Sequence, residues 1–191
     1  AKDVKIQVEF NPARVQSYRL LGYENRMLAT RDFDDDTKDA GEIGAGHTVT
    51  ALYEVILINE NGETSSQNLK YQDVNIRDDA YNTNELLTVK IRYKDPDGSQ
   101  SKEIVRILND NNTDLWKSSK NFRFSAAVAE FAMLLRDSEF KGSSSFDSVF
   151  KLAQSSIGKD KFGYRNEFLS LVERASILSV GETEASLIMN K

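Results

Sequence analysis

The acidic stretch DFDDD has the side-chain spacing of a calcium-binding loop. Asp32, Asp34 and Asp36 fall at the first, third and fifth positions of an EF-hand pattern, in which carboxylate oxygens surround Ca²⁺. The rest of that pattern is missing, because the sixth position is not Gly and the twelfth is not Glu. A looser cation site that also uses Asp39 or Glu42 is one interpretation, and a solvated acidic loop is the other.

A second pattern with metal-binding chemistry is Asp-x-Ser-x-Ser, which occurs as DGSQS at residues 97–101. Its hard oxygen ligands would suit Mg²⁺. The stretch before it alternates apolar and polar residues, and a second strand-like stretch follows it. Asp95-Pro96-Asp97-Gly98 is also a strong turn signal. We therefore predict that the pattern forms the tip of a hairpin.

Three glycines and the single histidine of the chain lie together in GEIGAGHTV, residues 41–49. A phosphate-binding loop needs a helix N-terminus directly after its glycines, but the residues that follow here are β-forming. We predict a structural corner before a strand. His47 is then a turn residue or a partly buried hydrogen-bonding group, with a catalytic base as the alternative.

A polar cluster near the second predicted strand could serve either structure or binding. It consists of Arg14, Arg19, Tyr23, Glu24 and Arg26. In one interpretation the charged residues pair across a sheet. In the other they form a docking surface, where Arg and Tyr are favoured anchors.

Composition excludes several classes of protein. The chain has 191 residues and no cysteine, so disulfides, thiol catalysis and thiolate zinc sites are excluded. The formal net charge is −5 and no basic stripe is present, which argues against a nucleic-acid partner. The longest apolar run, residues 55–58, is far shorter than the ~20 residues of a membrane helix. We expect no cofactor.

The first part of the chain has the alternation that is typical of strands. In VKIQVEF, the apolar residues Val4, Ile6, Val8 and Phe10 share one face. Further strands are expected at residues 15–23, 48–58, 86–94 and 102–108, with turns at 11–12, 61–62 and 95–98. The stretch 48–58 is apolar on both faces and predicts a central covered strand. We predict an antiparallel β-sandwich over residues 1–114.

The remainder of the chain has helical periodicity. The first helix is expected over 122–138, with an apolar face of Phe124, Val128, Phe131 and Leu135. The second lies within 141–160, with Ser144 and Asp147 as a capping pair and Gly158 as its stop. The third covers 165–179, with an apolar face of Phe168, Leu171, Val172, Ala175 and Leu178, and a short fourth covers 182–190.

We therefore predict an α+β protein, in which a bundle of three to four helices over residues 115–191 packs against the N-terminal antiparallel β-sandwich.

Four stretches of the chain resemble a known family. They are VEFNPARVQSYRLLGYENRML, DFDDDTKDAGEIGAGHTVTALYEV, FRFSAAVAEFAMLLR and DKFGYRNEFLSLV. Together they are similar to the C-terminal domain of unknown function that follows the type A domain in bacterial von Willebrand factor type A proteins. The resemblance spans nearly the whole chain and is specific over residues 7–55 and 121–172.

The resemblance implies a parent protein of the bacterial cell envelope, in which a metal-binding type A domain precedes this segment. It implies an extracytoplasmic location and places the parent's metal site outside this chain. It transfers no catalytic residue. The start at Ala1, without an initiator Met, agrees with a segment cut from a longer protein.

Three functions follow as hypotheses. The first is a non-catalytic scaffold that packs on the type A domain of the same polypeptide. The second is an independent module that binds another envelope protein or Ca²⁺, and an exposed apolar patch would favour it. The third is a carboxylate-dependent hydrolase, which would need two close carboxylates in a cleft. We expect the protein not to be an enzyme.

Overall fold

The computed structural model describes residues 1–22, 28–29, 32–38, 40–58 and 75–189, with the backbone alone for residues 180–189. The chain divides into two compact units, Ala1–Asn112 and Thr113–Lys191. We call them the β unit and the helical unit. Antiparallel sheets come first and helices follow, so the predicted α+β class is confirmed.

The β unit is built from five described strands and one short helix. The strands are β1 (Lys2–Phe10), β2 (Val15–Leu21), β3 (Leu52–Leu57), β4 (Glu85–Lys94) and β5 (Ser101–Asn109), and helix α1 (Asp78–Tyr81) precedes β4. One sheet has the order β1-β4-β5 and the other pairs β2 with β3, all antiparallel.

The turn between β4 and β5 is the hairpin that the sequence predicts. The backbone N–H of Gly98 donates to the carbonyl of Asp95 at 3.0 Å, and Lys94 pairs with Ser101. Proline at the second position of this turn and glycine at the fourth suit its backbone geometry. The Asp-x-Ser-x-Ser pattern therefore lies across a hairpin tip, as expected.

One expectation about the other strands is confirmed and one is wrong. The turn after β1 begins at Asn11, as predicted, and it leads the chain into a second sheet, while β1 itself pairs with β4. Strand β3 begins only at Leu52, and within the described residues it pairs with β2 alone. Its residues Ile56 and Leu57 are exposed, because apolar side chains on both faces do not by themselves bring a second layer to cover them.

The two sheets meet through aromatic side chains. The ring of Phe10, on β1, stacks on Tyr18 of β2 at 4.2 Å between centroids and meets Tyr53 of β3 edge-on at 5.4 Å. Such pairs contribute about 0.5–1.5 kcal/mol beyond the area that they bury. Phe10 and Val15 are buried near this end of β1, and the third buried apolar side chain of the described β unit is Phe33, in residues 32–38.

The helical unit has three long helices. They are α2 (Lys120–Leu135), α3 (Phe146–Ser155) and α4 (Tyr164–Met189), and a 3-10 turn at Leu115–Lys117 precedes them. The expected third and fourth helices are one continuous α4, so the prediction of a separate short helix is wrong. Gly181 lies within α4, and no Pro follows it to end the helix there.

The core of the helical unit differs from the predicted apolar faces. Its buried residues are Ala127, Val149, Leu152, Ala153, Leu169 and Val172. Phe124 and Phe131 pack against this core as predicted, but Val128, Leu135, Leu171 and Leu178 are exposed. On α2, Ala127 and Leu134 contribute to the core where the sequence predicts Val128 and Leu135.

The N-terminus of α3 is capped one residue later than expected. Ser145 accepts from the backbone N–H of Ser148, and the Ser148 hydroxyl accepts from the backbone N–H of Ser145. This is a reciprocal capping box with serine at its third position. Ser144 and Asp147 therefore do not form the pair, and Asp147 instead contacts Lys151 at 2.6 Å. Gly158 has a φ of +62°, two residues beyond the C-cap Ser156.

Candidate interaction surface

The register of the three-stranded sheet assigns its side chains to two faces. Ile6 pairs with Ile91, which pairs in turn with Ile104, and paired residues share a face. The face that we call the apolar face consists of Ile6, Val8, Phe10, Leu87, Val89, Ile91, Tyr93, Ile104 and Leu108, together with the charged residues Lys102 and Arg106. The polar face carries Lys5, Gln7, Glu9, Thr88, Lys90, Arg92, Lys94 and Glu103, together with Val105 and Ile107.

Burial at the hairpin end of this sheet is the reverse of what polarity predicts. Lys5 is only 3% exposed, whereas its neighbour Ile6 is 52% exposed. Lys5 is covered because residues 32–38, which we call the acidic loop, lie over the polar face. Its ammonium donates to the backbone carbonyl of Asp32 at 3.2 Å and to that of Asp35.

The acidic loop is also held by charged and hydroxyl side chains of the hairpin. Asp36 accepts from the hydroxyl of Ser101 at 2.5 Å and from the guanidinium of Arg92 at 3.1 Å. Lys94 donates to the Asp36 carbonyl at 3.2 Å and to the carboxylate of Asp3 at 2.8 Å. The Ser101 hydroxyl and then Arg92 hold the pKa of Asp36 below its usual value, and Lys94 does the same for the pKa of Asp3.

This arrangement gives the candidate metal ligands other partners. Asp34 and Asp36 both contact Arg92, at 3.5 and 3.1 Å, and Asp32 directs its carbonyl to Lys5. A cation entering the loop would have to displace these contacts. Across the described residues, no three His, Cys, Asp or Glu side chains are arranged to hold a metal ion. Calcium binding stays a prediction without structural support, and Asp39 lies outside the described residues.

The glycine-rich stretch is a corner beside β1. Gly46 has a φ of +79°, and His47 is an exposed turn residue whose N–H donates to the Gly44 carbonyl at 3.2 Å. Before this corner the chain runs along the free edge of β1, where the backbone N–H of Val4 donates to the Gly41 carbonyl at 2.8 Å. No helix follows these glycines, so the geometry of a phosphate loop is absent from this described stretch.

The two described arginines of the predicted polar cluster contact their own unit. Arg14 donates to the Thr83 carbonyl at 2.7 Å and to the Asn84 side chain at 2.8 Å. Arg19 pairs with Glu54 directly across the β2–β3 sheet. The pair of Arg19 with Glu54 is of the kind that the structural interpretation describes, in which charged residues pair across a sheet. Tyr23, Glu24 and Arg26 lie outside the described residues, so the docking interpretation of the cluster stays a prediction.

Sequence reasoning missed a structural role for Asn11. Its side-chain amide donates to the carbonyls of Ala80 and Glu85, both at 2.9 Å, and its side-chain oxygen accepts from the Ala13 N–H at 2.9 Å. The turn after β1 is thereby tied to the chain around α1. The Asn-Pro pair signals a turn, but it carries no information about contacts more than 60 residues away.

A cleft of about 430 Å³ lies beside Asn11. Glu9, Asp79 and Glu85 are among its lining residues. Arg77 donates to Asp79 at 2.8 Å and holds the pKa of this carboxyl below its usual value. A carboxylate in that state is a weak proton donor near neutral pH, and a general acid needs a raised pKa.

The apolar face is covered unevenly. Tyr18 and Tyr53 cover Phe10, but Ile6 on β1 and Leu108 on β5 remain 52% and 51% exposed. Between them Val89, Ile91 and Ile104 are half-buried. Contiguous exposed apolar patches are the kind of surface at which folded domains contact other proteins.

The described residues form an α+β protein, in which antiparallel sheets precede a helical unit. One face of the three-stranded sheet carries exposed apolar side chains. The chain belongs to the family described as "Uncharacterized protein YfbK, C-terminal", which matches residues 1–178. It is 42% identical over 176 residues to "Uncharacterized protein YfbK" of Escherichia coli (strain K12), a match that covers 92% of this chain and 30% of that protein. The chain thus spans less than a third of this curated relative. No solved structure matches it.

None of the helices in the described part of the chain is both long enough and apolar enough to cross a membrane.

Proposed function

We propose that this chain is a non-catalytic scaffold domain whose apolar sheet face packs against a type A domain of the same polypeptide. The observation that carries the proposal is the open end of that face. Ile6 is half exposed, while the lysine beside it on the same strand is buried under the acidic loop. The acidic loop thus covers the hairpin end of the polar face and leaves the apolar face available to a partner.

The length of the relative supports a partner in the same polypeptide. The matched segment is 30% of that protein, and its family is described as C-terminal, so a longer segment comes before it there. In a polypeptide of that design, the preceding domain joins β1 next to Ile6. A short tether gives an effective concentration in the millimolar range, so even a modest apolar contact would be occupied.

The resemblance to segments that follow type A domains supplies the identity of that partner. It also supports a location at the bacterial cell envelope, which we include in the proposal. The scaffold function requires no catalytic group in this chain. The type A domain would carry the divalent cation, and this chain would fix the orientation of the type A domain.

Calorimetric titration of the 191-residue chain with a separately produced type A domain of a family member tests the proposal. It is carried out with and without Mg²⁺. We expect saturable binding, and we expect Ile6→Glu to weaken it by about tenfold or more, because a charge would then be buried without a partner. Ile107→Glu is the matched control. Ile107 is 53% exposed but lies on the polar face, so its replacement should leave the affinity unchanged.

An absence of binding would refute the docking function. Equal losses for Ile6→Glu and Ile107→Glu would refute the assignment to the apolar face. Arg14 is unsuitable as a probe of the surface because it holds Thr83 and Asn84 of its own unit.

A further inference from the structure

One face of α4 carries apolar residues that the helical unit does not use. Tyr164, Leu171 and Leu178 follow at intervals of seven residues and are 71%, 49% and 69% exposed. Seven residues are about two helical turns, so these side chains form one stripe with a spacing of about 10 Å. The buried residues Leu169 and Val172 belong to a different side of the helix.

Two opposite charges lie within the same stripe. Glu167 and Arg174 alternate with the apolar residues, so the spacing along the stripe is three, four, three and four. Both are exposed, and neither forms an ion pair with another described residue. The acidic residue lies before Leu171 and the basic one lies after it, at nearly equal distances.

We propose that this stripe binds the same stripe of a second copy of the chain, with the two α4 helices antiparallel and a two-fold axis near Leu171. A two-fold interface requires a self-complementary surface. With the axis at Leu171, the two Leu171 side chains meet, Tyr164 lies opposite Leu178 of the other copy, and each Glu167 lies opposite an Arg174.

The charges select the antiparallel arrangement and a second copy as the occupant. A parallel pair of α4 helices would place Glu167 opposite Glu167 and Arg174 opposite Arg174, and like charges in contact oppose association. The antiparallel pair converts the same four charges into two ion pairs. This surface lies on the helical unit and is independent of the apolar sheet face.

Sedimentation velocity of the 191-residue chain over a dilution series tests the proposal. We expect a monomer–dimer equilibrium, which Leu171→Glu should abolish. Ile177→Glu is the matched control. Ile177 is 73% exposed on the same helix, but it is about 100° away from the stripe and lines a cleft with α3, so the dimer should persist.

A charge exchange keeps the test independent of folding defects. Glu167→Arg and Arg174→Glu should each weaken the dimer by about tenfold or more, because each brings like charges together twice. The double variant, E167R with R174E, should restore it. A chain that is monomeric at every concentration would overturn the proposal. So would a dimer that is indifferent to Leu171→Glu, or a double variant as weak as the single ones.

Discussion

Lys5 and Ile6 are adjacent in β1, but the charged side chain is buried and the apolar one is half exposed. The lysine is buried because two backbone carbonyls of the acidic loop accept its ammonium protons, which offsets the cost of removing a charge from water. The isoleucine faces the other side and stays half exposed. The acidic loop is therefore a structural part of the β unit, and Lys5 is its anchor.

Replacing that anchor should loosen the loop. We expect Lys5→Met to lower the free energy of unfolding by about 1–3 kcal/mol, because the carbonyls of Asp32 and Asp35 lose a charged donor. Urea denaturation followed by circular dichroism measures the change, and hydrogen exchange at residues 32–38 locates it.

Lys90→Met is the control for this substitution. Lys90 lies on the same face, and its side chain forms no hydrogen bond with the described residues. An equal loss of stability for both variants would contradict an anchoring role for Lys5.

The carboxylate of Asp36 should make the loop sensitive to acid. Its pKa is lowered from the usual 3.8 by the Ser101 hydroxyl and then by Arg92. A lowered pKa in the folded state adds stability that is fully present above the unfolded value, near pH 4, and is lost as the pH falls through the folded value. We expect this loss in unfolding measurements that run from about pH 5 down to about pH 2.

Asp36→Asn should reduce the steepness of that acid dependence. The control is Asp34→Asn, because Asp34 is far more exposed and meets Arg92 only at 3.5 Å. The assignment fails if the Asp34 variant changes the acid dependence as much as the Asp36 variant does.

Two neighbouring serines show how local side chains begin a helix. Ser145 closes the capping box of α3, whereas Ser144 makes only a backbone turn contact with Lys141 at 3.0 Å. We expect Ser145→Ala to lower the free energy of unfolding by about 1 kcal/mol, and Ser144→Ala to change it little. Chemical denaturation of both variants, monitored by helical circular dichroism, measures the difference. A larger effect at Ser144 would favour the pair with Asp147 that the sequence suggests.

At the scale of elements, periodicity predicts whether a segment is a helix or a strand, but it does not predict which other segments pack or pair with it. The alternation in β1 places Val8 and Phe10 on one face, and the register confirms it. The turn signal at Asp95–Gly98 identifies a hairpin because turn chemistry is local. The pairing of β1 with β4 was not predictable in this way, since strands more than 70 residues apart carry no shared local signal.

The errors in the helices have a related cause. Leu171 and Leu178 fit an apolar face by type, but the residues of α4 that are buried in the core are Leu169 and Val172, because α4 packs through that side. In the candidate surface, the acidic loop was identified from composition. Its partners Lys5, Arg92 and Lys94 were not, because they are brought to the loop only by the fold.

Each unit of the whole molecule has its own packed residues. The core cluster of the helical unit lies entirely within residues 127–172, and the aromatic contacts of Phe10 lie within the β unit. A domain with its own core is expected to fold alone. We therefore predict that a fragment of residues 113–191 keeps its helical circular dichroism and unfolds cooperatively.

Thermal unfolding of that fragment and of the whole chain, compared by the same signal, checks this prediction. Val149→Ala is a useful probe because Val149 is fully buried in the helical core. It should lower the midpoint of the fragment and of the helical transition in the whole chain alike. A fragment without cooperative unfolding would show that the helical unit depends on the rest of the chain.

The strand order β1-β4-β5 has a consequence for synthesis of the chain. The first strand is complete at Phe10, but its partner β4 begins only at Glu85. At translation rates of 5–20 residues per second, the synthesis of β4 begins about 4 to 15 seconds after β1 is complete. During that interval the alternating Ile6, Val8 and Phe10 of β1 have no β4 beside them, so this strand is exposed on the nascent chain until the hairpin of β4 and β5 has been made.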